Sequence, residues 1–379
     1  MSEFNKISLL DIVIGQPLPW DVMDDTGRLL LRAGFVIEDA SQAEKLVERG
    51  MYVEKKLKNS YSAATTLHNQ EPPSVIQSIN LAVKRLEILL KDIQKFPDAR
   101  KRVLDLVGTI RGAIKMNEDI ALASIQVNQV SGGYSYRHCV DAAIICILVA
   151  QALGKQDQEI QDIAAAALTM NISMKSLQEK LHGTKGELAD EDKLKIRQHP
   201  VDSIEMLYDA GIEDEKWLLY VLLHHEQEDG SGYPEGRKKD ECPQNAKILS
   251  LADGYCARIS SRGYRKSVLP SIALKDIFIE NSVKVDTNLA KYFVKVLGLH
   301  PPGTFVRLQN GDVAIISQRG STPNTNVAYS LVKPNNEVLS NPIKRDTGLE
   351  EFKILEAIYP IDASVNFNFQ QVWGPMARL

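Results

Sequence analysis

The sequence predicts a mainly α protein, an all-helical bundle flanked by small β-rich units at its N- and C-terminal ends. Three observations carry this. From Ser74 apolar residues recur at helical spacing, with Val75, Ile79, Ala82, Leu86, Leu89 or Leu90 and Ile93 on one stripe, and helical patterns continue with short breaks to about Leu297. Before that stretch, residues 1–55 mix short extended runs with turn signals. After Pro301 the texture changes to short apolar runs around the turn Gln309-Asn310-Gly311-Asp312.

Taken in order, Ile7 to Ile14 reads as extended, and Asp24-Asp25-Thr26-Gly27 as a turn. Arg28 to Leu31 reads as a strand broken at Ala33-Gly34, and Ser41 to Arg49 as a short helix stopped by Gly50. Together these form a small β-rich accessory domain, residues 1–55. Residues 56–73 are polar, end in a Pro-Pro pair and read as a linker. Residues 74–119 are connecting helices. The stripe from Val75 to Ile93 suits packing on its own domain or on a second copy of the chain, and the sequence leaves both open. Residues 120–299 form the main helical domain, with about nine to eleven helices between Ser74 and Leu297. In the β-rich extension, residues 300–379, Thr304–Leu308 and Val313–Ile316 pair as a hairpin, and a further strand lies near Val327 to Val332.

A chain of 379 residues is long enough for two or three domains. Its net charge of −4 supplies no strong counterion-release term, which argues against a nucleic-acid binder. The four cysteines, Cys139, Cys146, Cys242 and Cys256, show no CxxC spacing and read as buried thiols. The N-terminal Met-Ser-Glu-Phe-Asn-Lys is unlike a signal peptide, and the longest apolar run, Ala142 to Ala150, is too short for membrane insertion. The expected location is the cytoplasm.

The chemistry gathers around histidine. Of the seven histidines, His68 and His182 lie in polar surroundings without a role, and His300 precedes Pro301-Pro302 as a structural residue. His138 opens the apolar helix Val140 to Leu153. His199 precedes Pro200. His224-His225 end the apolar run Trp217 to Leu223, just before Gly230-Ser231-Gly232-Tyr233-Pro234. Consecutive residues on a helix point about 100° apart, so two adjacent histidines share one metal only near a helix end. The glycine turn supplies that end. Asp253, a charge within Ile248 to Gly254, needs a cation, a metal or hydrogen bonds. His138, His199, His224, His225 and Asp253 together make a metal set, and imidazole plus carboxylate suits iron, manganese, zinc or nickel.

In order, Tyr134-Ser135-Tyr136-Arg137-His138, His199-Pro200, His224-His225-Glu226 with Asp229-Gly230-Ser231-Gly232-Tyr233-Pro234, Ala246-Lys247-Ile248-Leu249 leading to Asp253, and Arg262-Gly263-Tyr264-Arg265-Lys266 resemble the HD-GYP family over about residues 120–297. The resemblance implies an HD-type helical bundle and metal-dependent hydrolysis of the bacterial second messenger cyclic di-GMP. The family's His-Asp pair, however, falls on Met170 and Asn171. Its lysine, which assists the leaving group, falls on Met174, and a further acid falls on Cys256. By this resemblance the chain is a degenerate member.

Family chemistry uses two metals bridged by the aspartate and by the attacking hydroxide. Asn171 offers one neutral carbonyl where two anionic oxygens are needed, and Met170 offers a soft thioether in place of an imidazole. One metal would keep only His138, Asp253 and Asn171; the other would keep His199, His224 and His225. The expectation is therefore one transition metal at the three-histidine site or none, and hydrolysis absent or vestigial. Arg262, Arg265 and Lys266 match family positions near the messenger's phosphates, where guanidinium forks pair with phosphate oxygens; otherwise they form a solvated basic loop. Asp229, Gly230, Gly232, Tyr233 and Pro234 match a loop associated with docking to diguanylate-cyclase-type partners; otherwise they brace the two histidines. The N-terminal unit resembles accessory modules found ahead of HD-GYP domains. The function these residues imply is a non-catalytic protein that binds cyclic di-GMP or a signalling partner. The alternatives are an active phosphodiesterase with an atypical site, and a dimeric helical scaffold without ligand.

Overall fold

The computed structural model describes residues 4–6, 12, 17–18, 20–37, 42, 46–47, 52–54, 73–127, 133–183, 188–260, 267–277, 283–322, 325–359 and 367–379. The expected linker lies almost wholly outside the described residues, as do most of the run from Ile7 to Ile14 and most of the helix from Ser41 to Arg49.

Four short strands open the chain: β1 (Phe4–Lys6), β2 (Val22–Met23), β3 (Leu29–Leu31) and β4 (Tyr52–Glu54). They pair antiparallel in the order β1-β4-β2-β3. Asp24 closes the turn between β2 and β3 by accepting from the backbone N–H of Thr26 and of Arg28. The small core here is Ile12, Leu18, Trp20, Val22 and Ile37, and Ile88 of the first long helix packs against it.

That helix, α1 (Val75–Lys91), begins where the Ser74 side chain accepts from the N–H of Gln77. Its stripe, Val75 through Ile93, is buried inside its own chain, mainly against α2 (Ala99–Met116), with α3 (Glu118–Val127) and α4 (Tyr134–Ala152) behind it. The alternative in which this stripe binds a second copy is overturned. Those side chains have no apolar area left to offer, so a dimer would need another surface.

The bundle forms around α4, whose residues His138 to Ala150 are all buried. A helix apolar on every side must be central. Beside it runs α5 (Asp157–Thr169), whose Ala164 to Ala167 are fully buried; their small side chains let the two backbones approach closely. Then follow α6 (Lys175–Gly183), α7 (Asp190–Asp209), α8 (Glu215–Leu223), α9 (Gln244–Ile259), α10 (Pro270–Lys275) and α11 (Thr287–Leu297). All four cysteines are buried free thiols. Among the described residues no helix is long and apolar enough to cross a membrane.

The C-terminal sheet is antiparallel in the order β8-β7-β6-β5-β9, built from β5 (Phe305–Leu308), β6 (Val313–Arg319), β7 (Asn326–Val332), β8 (Val338–Asp346) and β9 (Ile354–Ile358). The β5–β6 hairpin turns at Gly311, whose φ of 85° favours glycine. Arg319 fastens this sheet to the bundle. Its guanidinium donates to Asp119 (2.6 Å), Glu118 (2.7 Å) and the Val296 carbonyl (2.7 Å). The last helix, α12 (Phe369–Trp373), leads the chain back to α1, where the Ser74 hydroxyl donates to the carbonyl of Met376.

Candidate metal and ligand site

His199, His224 and His225 come together so that one ring nitrogen of each lies within 4.8 Å of the others. Two helix irregularities orient them. Pro200 sits inside α7 and has no N–H to give the Ile196 carbonyl. The His199 ring takes that acceptor instead, with Nδ1 at 2.6 Å. α8 stops at Leu223, leaving the Val221 carbonyl without a helical donor. The His224 Nδ1 takes it, also at 2.6 Å. A carbonyl only accepts, so both Nδ1 atoms carry the proton, and both Nε2 atoms carry lone pairs in the neutral rings. These Nε2 atoms face each other at 3.2 Å. Two lone pairs so placed repel unless a cation lies near both. A ring N–H given to a backbone carbonyl is also the usual support of a metal-binding imidazole. Pro200→Ala would return an N–H to Ile196 and compete with His199. It is expected to weaken divalent metal binding about tenfold, as measured by competition against a chelating dye.

Burial, and then the neighbouring His224, pull the His199 imidazole down to about 3. Burial also lowers His224, and together with His224 it places His225 well below the usual histidine range. All three are neutral near pH 7, the form that binds metals. Burial opposes ionisation of Asp253, but the hydrogen bond from His138 and the surrounding imidazoles outweigh it. They hold its carboxyl well below the usual carboxylate range. Three neutral imidazoles and a carboxylate fit a borderline divalent cation.

His138 is placed differently from the other four. Its Nε2 lies 2.7 Å from Asp253 Oδ1, which commits that nitrogen to the carboxylate, and its ring stacks on Tyr134 at 5.6 Å between centroids. Its Nδ1 is buried without a partner among the described residues. In this arrangement His138 orients Asp253. The two positions of the missing pair also separate. Met170 is wholly buried in the main core, whereas Asn171 lines a cavity.

That cavity, of about 530 Å³, holds His199, His225, Asp253 and Asn171 in its wall, together with Met174, Tyr134 and Tyr233. Arg258 and Lys284 add positive charge. The glycine loop closes one side and is folded inward. Tyr233 stacks on His225 with centroids 4.7 Å apart, and Arg197 lies 5.1 Å from the same ring. The buried Glu226 carboxylate accepts from the N–H groups of Glu235 and Gly236 at 2.7 and 3.0 Å. Between Asp229 and Glu235, only Asp229, Ser231 and Glu235 are exposed. A Cβ on Gly232 would lie 2.5 Å from both the Glu226 Cα and the His225 carbonyl oxygen. Gly232→Ala must therefore push the loop off the histidines. A stability loss of about 2–4 kcal/mol is expected in urea unfolding, with weaker metal binding in the same preparation.

Arg262, Arg265 and Lys266 lie outside the described residues, directly beyond α9, whose Ala257 and Arg258 line the cavity. Residue-by-residue reading passed over Gln178, Arg258 and Lys284. For the helical ones a signal existed. Gln178 and Leu181 share one face of α6 with Met174 just before it, and Ser250, Asp253, Gly254, Ala257 and Arg258 share one face of α9.

With this geometry in hand, comparison with known proteins defines the class. Residues 121–289 match the family model described as "HD domain". The cyclic di-GMP phosphodiesterase PA4108 of Pseudomonas aeruginosa is 27% identical over 230 residues, covering 60% of this chain and 55% of that protein. The cyclic di-GMP phosphodiesterase PdeB of Borreliella burgdorferi is 22% identical over 209 residues, covering 55% of each. The chain thus spans about half the length of these curated relatives. In fold it is similar to Bd1817, an HDG"Y"P protein from Bdellovibrio bacteriovorus. The TM-score is 0.52 at 18% identity, covering 78% of this chain and 99% of that one. Residues 121–289 thus match an HD domain, and the chain is similar in fold to an HD-GYP-type protein.

Proposed function

We propose that this chain binds cyclic di-GMP in the cavity beside a one-metal centre and does not hydrolyse it. The observation that carries the reading is the split of the old catalytic pair. Asn171 lines the cavity without a negative charge, while Met170 packs in the core and offers no ligand atom there. His199, His224 and His225 would hold the metal, and Asp253, kept in place by His138, would face it across the cavity. A metal so held supplies a Lewis acid that attracts phosphate oxygens. Arg258 and Lys284 add charge suited to the same phosphodiester groups, and Arg262, Arg265 and Lys266 belong with them by family position. Among the aligned relatives, PA4108 and PdeB are named for activity on cyclic di-GMP, which favours that ligand class.

Docking of a diguanylate-cyclase-type protein has less support. Tyr233 is turned into the cavity wall, so a partner would meet mainly Asp229, Ser231 and Glu235. The test is calorimetric titration of the metal-loaded chain with cyclic di-GMP, followed by chromatography of the nucleotide. Binding with unchanged nucleotide supports the proposal. Conversion to a linear dinucleotide or GMP would establish the active alternative, and no binding would overturn the ligand reading.

A further inference from the structure

The cavity contains a polar group that neither the metal nor the phosphate reading uses. Gln178, on α6, is only 6% exposed, and its Oε1 is buried without a hydrogen-bond partner among the described residues. Buried amide oxygens are paired in the large majority of cases, so an orphan facing a cavity points to an absent partner. Its surroundings restrict what that partner is. Leu181 on the same helix face and Met174 just before the helix flank Gln178, and Leu188, Ile196 and Ile277 continue an apolar lining. The charged groups, Asp253, Arg258 and Lys284, come from α9 and from the segment before α11. An apolar wall with one amide suits a flat heterocycle that buries its faces and hydrogen-bonds along one edge.

A primary amide presents a donor and an acceptor side by side. Nucleobase edges carry the same pair in reverse, and glutamine meets them bidentately. Exchanging the amide nitrogen and oxygen leaves this match intact, because both atoms are used. α6 is also held firmly. The adjacent Glu179 accepts from the backbone N–H and the hydroxyl of Ser135, both at 2.7 Å, which ties α6 to the first turn of α4.

We propose that Gln178 is the specificity-determining residue that reads the base edge of the nucleotide in this cavity. The proposal rests on the ligand reading above, and the experiment separates the two. Cyclic di-GMP, GMP and ribose 5-phosphate are titrated into the metal-loaded wild type and into Gln178→Met, which keeps the length of the side chain and removes the amide. The variant is expected to bind cyclic di-GMP and GMP about tenfold or more weakly and ribose 5-phosphate unchanged. The ligand-free variant is expected to melt about 1–2 °C higher, because an unpaired buried amide is gone. A merely structural glutamine would instead lower the melting temperature and leave the nucleotide-to-sugar ratio alone. Equal nucleotide binding by both proteins overturns the role of Gln178 and leaves the ligand reading standing. A wild type that binds none of the three probes overturns both.

Discussion

Replacing His224 with alanine strips the metal from the protein. Elemental analysis after dialysis is expected to give about one divalent ion per wild-type chain and almost none per variant chain. The size of the effect follows from how the ligand is built. The His224 Nδ1 is fixed on the Val221 carbonyl and its Nε2 points at the Nε2 of His199, so no other atom can supply that lone pair. Loss leaves His199 and His225, two imidazoles and no preorganised third. The wild type should also melt higher with metal than without. A free ion at a hundred times its dissociation constant contributes about 2.7 kcal/mol, and that difference should vanish in His224→Ala. His138→Ala is the contrasting control, because the His138 Nε2 is already committed to Asp253. Its metal content should stay near one. Equal loss in both variants would mean that His138 is a ligand and that the two histidine groups form one centre.

The parts of this site legible in the sequence are those fixed by local chain geometry. Two adjacent histidines followed by Gly230 and Gly232 mark a helix end, and the structure stops α8 at Leu223, just before them. A proline directly after His199 was also visible, but its consequence was not. That Pro200 frees the carbonyl holding the His199 ring depends on a hydrogen bond within the turn, not on residue type. The same limit applies to α1. Periodicity showed an apolar stripe but could not say whether the chain itself covers it, since helices of one chain and of a second copy offer identical chemistry to it. The β5–β6 hairpin was readable because Asn310-Gly311 is a strong turn signal between two apolar runs. Gln178 was hidden for the opposite reason. A glutamine on an amphipathic helix is ordinarily solvated, and only the packing of α6 against the rest of the cavity makes this one buried and unpaired.

Restoring the family pair, Met170→His together with Asn171→Asp, is expected to raise the metal content from about one to two and to produce hydrolysis of cyclic di-GMP absent from the wild type. The two changes are unequal. Position 171 already lines the cavity, so an aspartate there puts a carboxylate beside Asp253 and His199 without moving the backbone. Asn171→Asp alone should therefore tighten the single metal and add no activity. Position 170 is wholly buried in the core, directly after Thr169, whose hydroxyl accepts from the indole N–H of Trp217 at 2.8 Å. An imidazole placed there exchanges apolar packing for a polar ring without a partner. The metal-free double variant should lose about 1–3 kcal/mol in urea unfolding. If the ring finds the second metal, that loss reverses on adding metal, because an ion bound only by the folded state stabilises it by mass action. Metal-dependent recovery of stability thus reports whether the histidine has left the core, independently of catalysis. A double variant that binds two metals yet leaves cyclic di-GMP intact would point to Met174, half-buried in the same wall where the family carries a proton-donating lysine. A variant that still binds one metal would show that the core keeps the side chain at 170, and that degeneration here reaches the packing of the helix as well as its ligands.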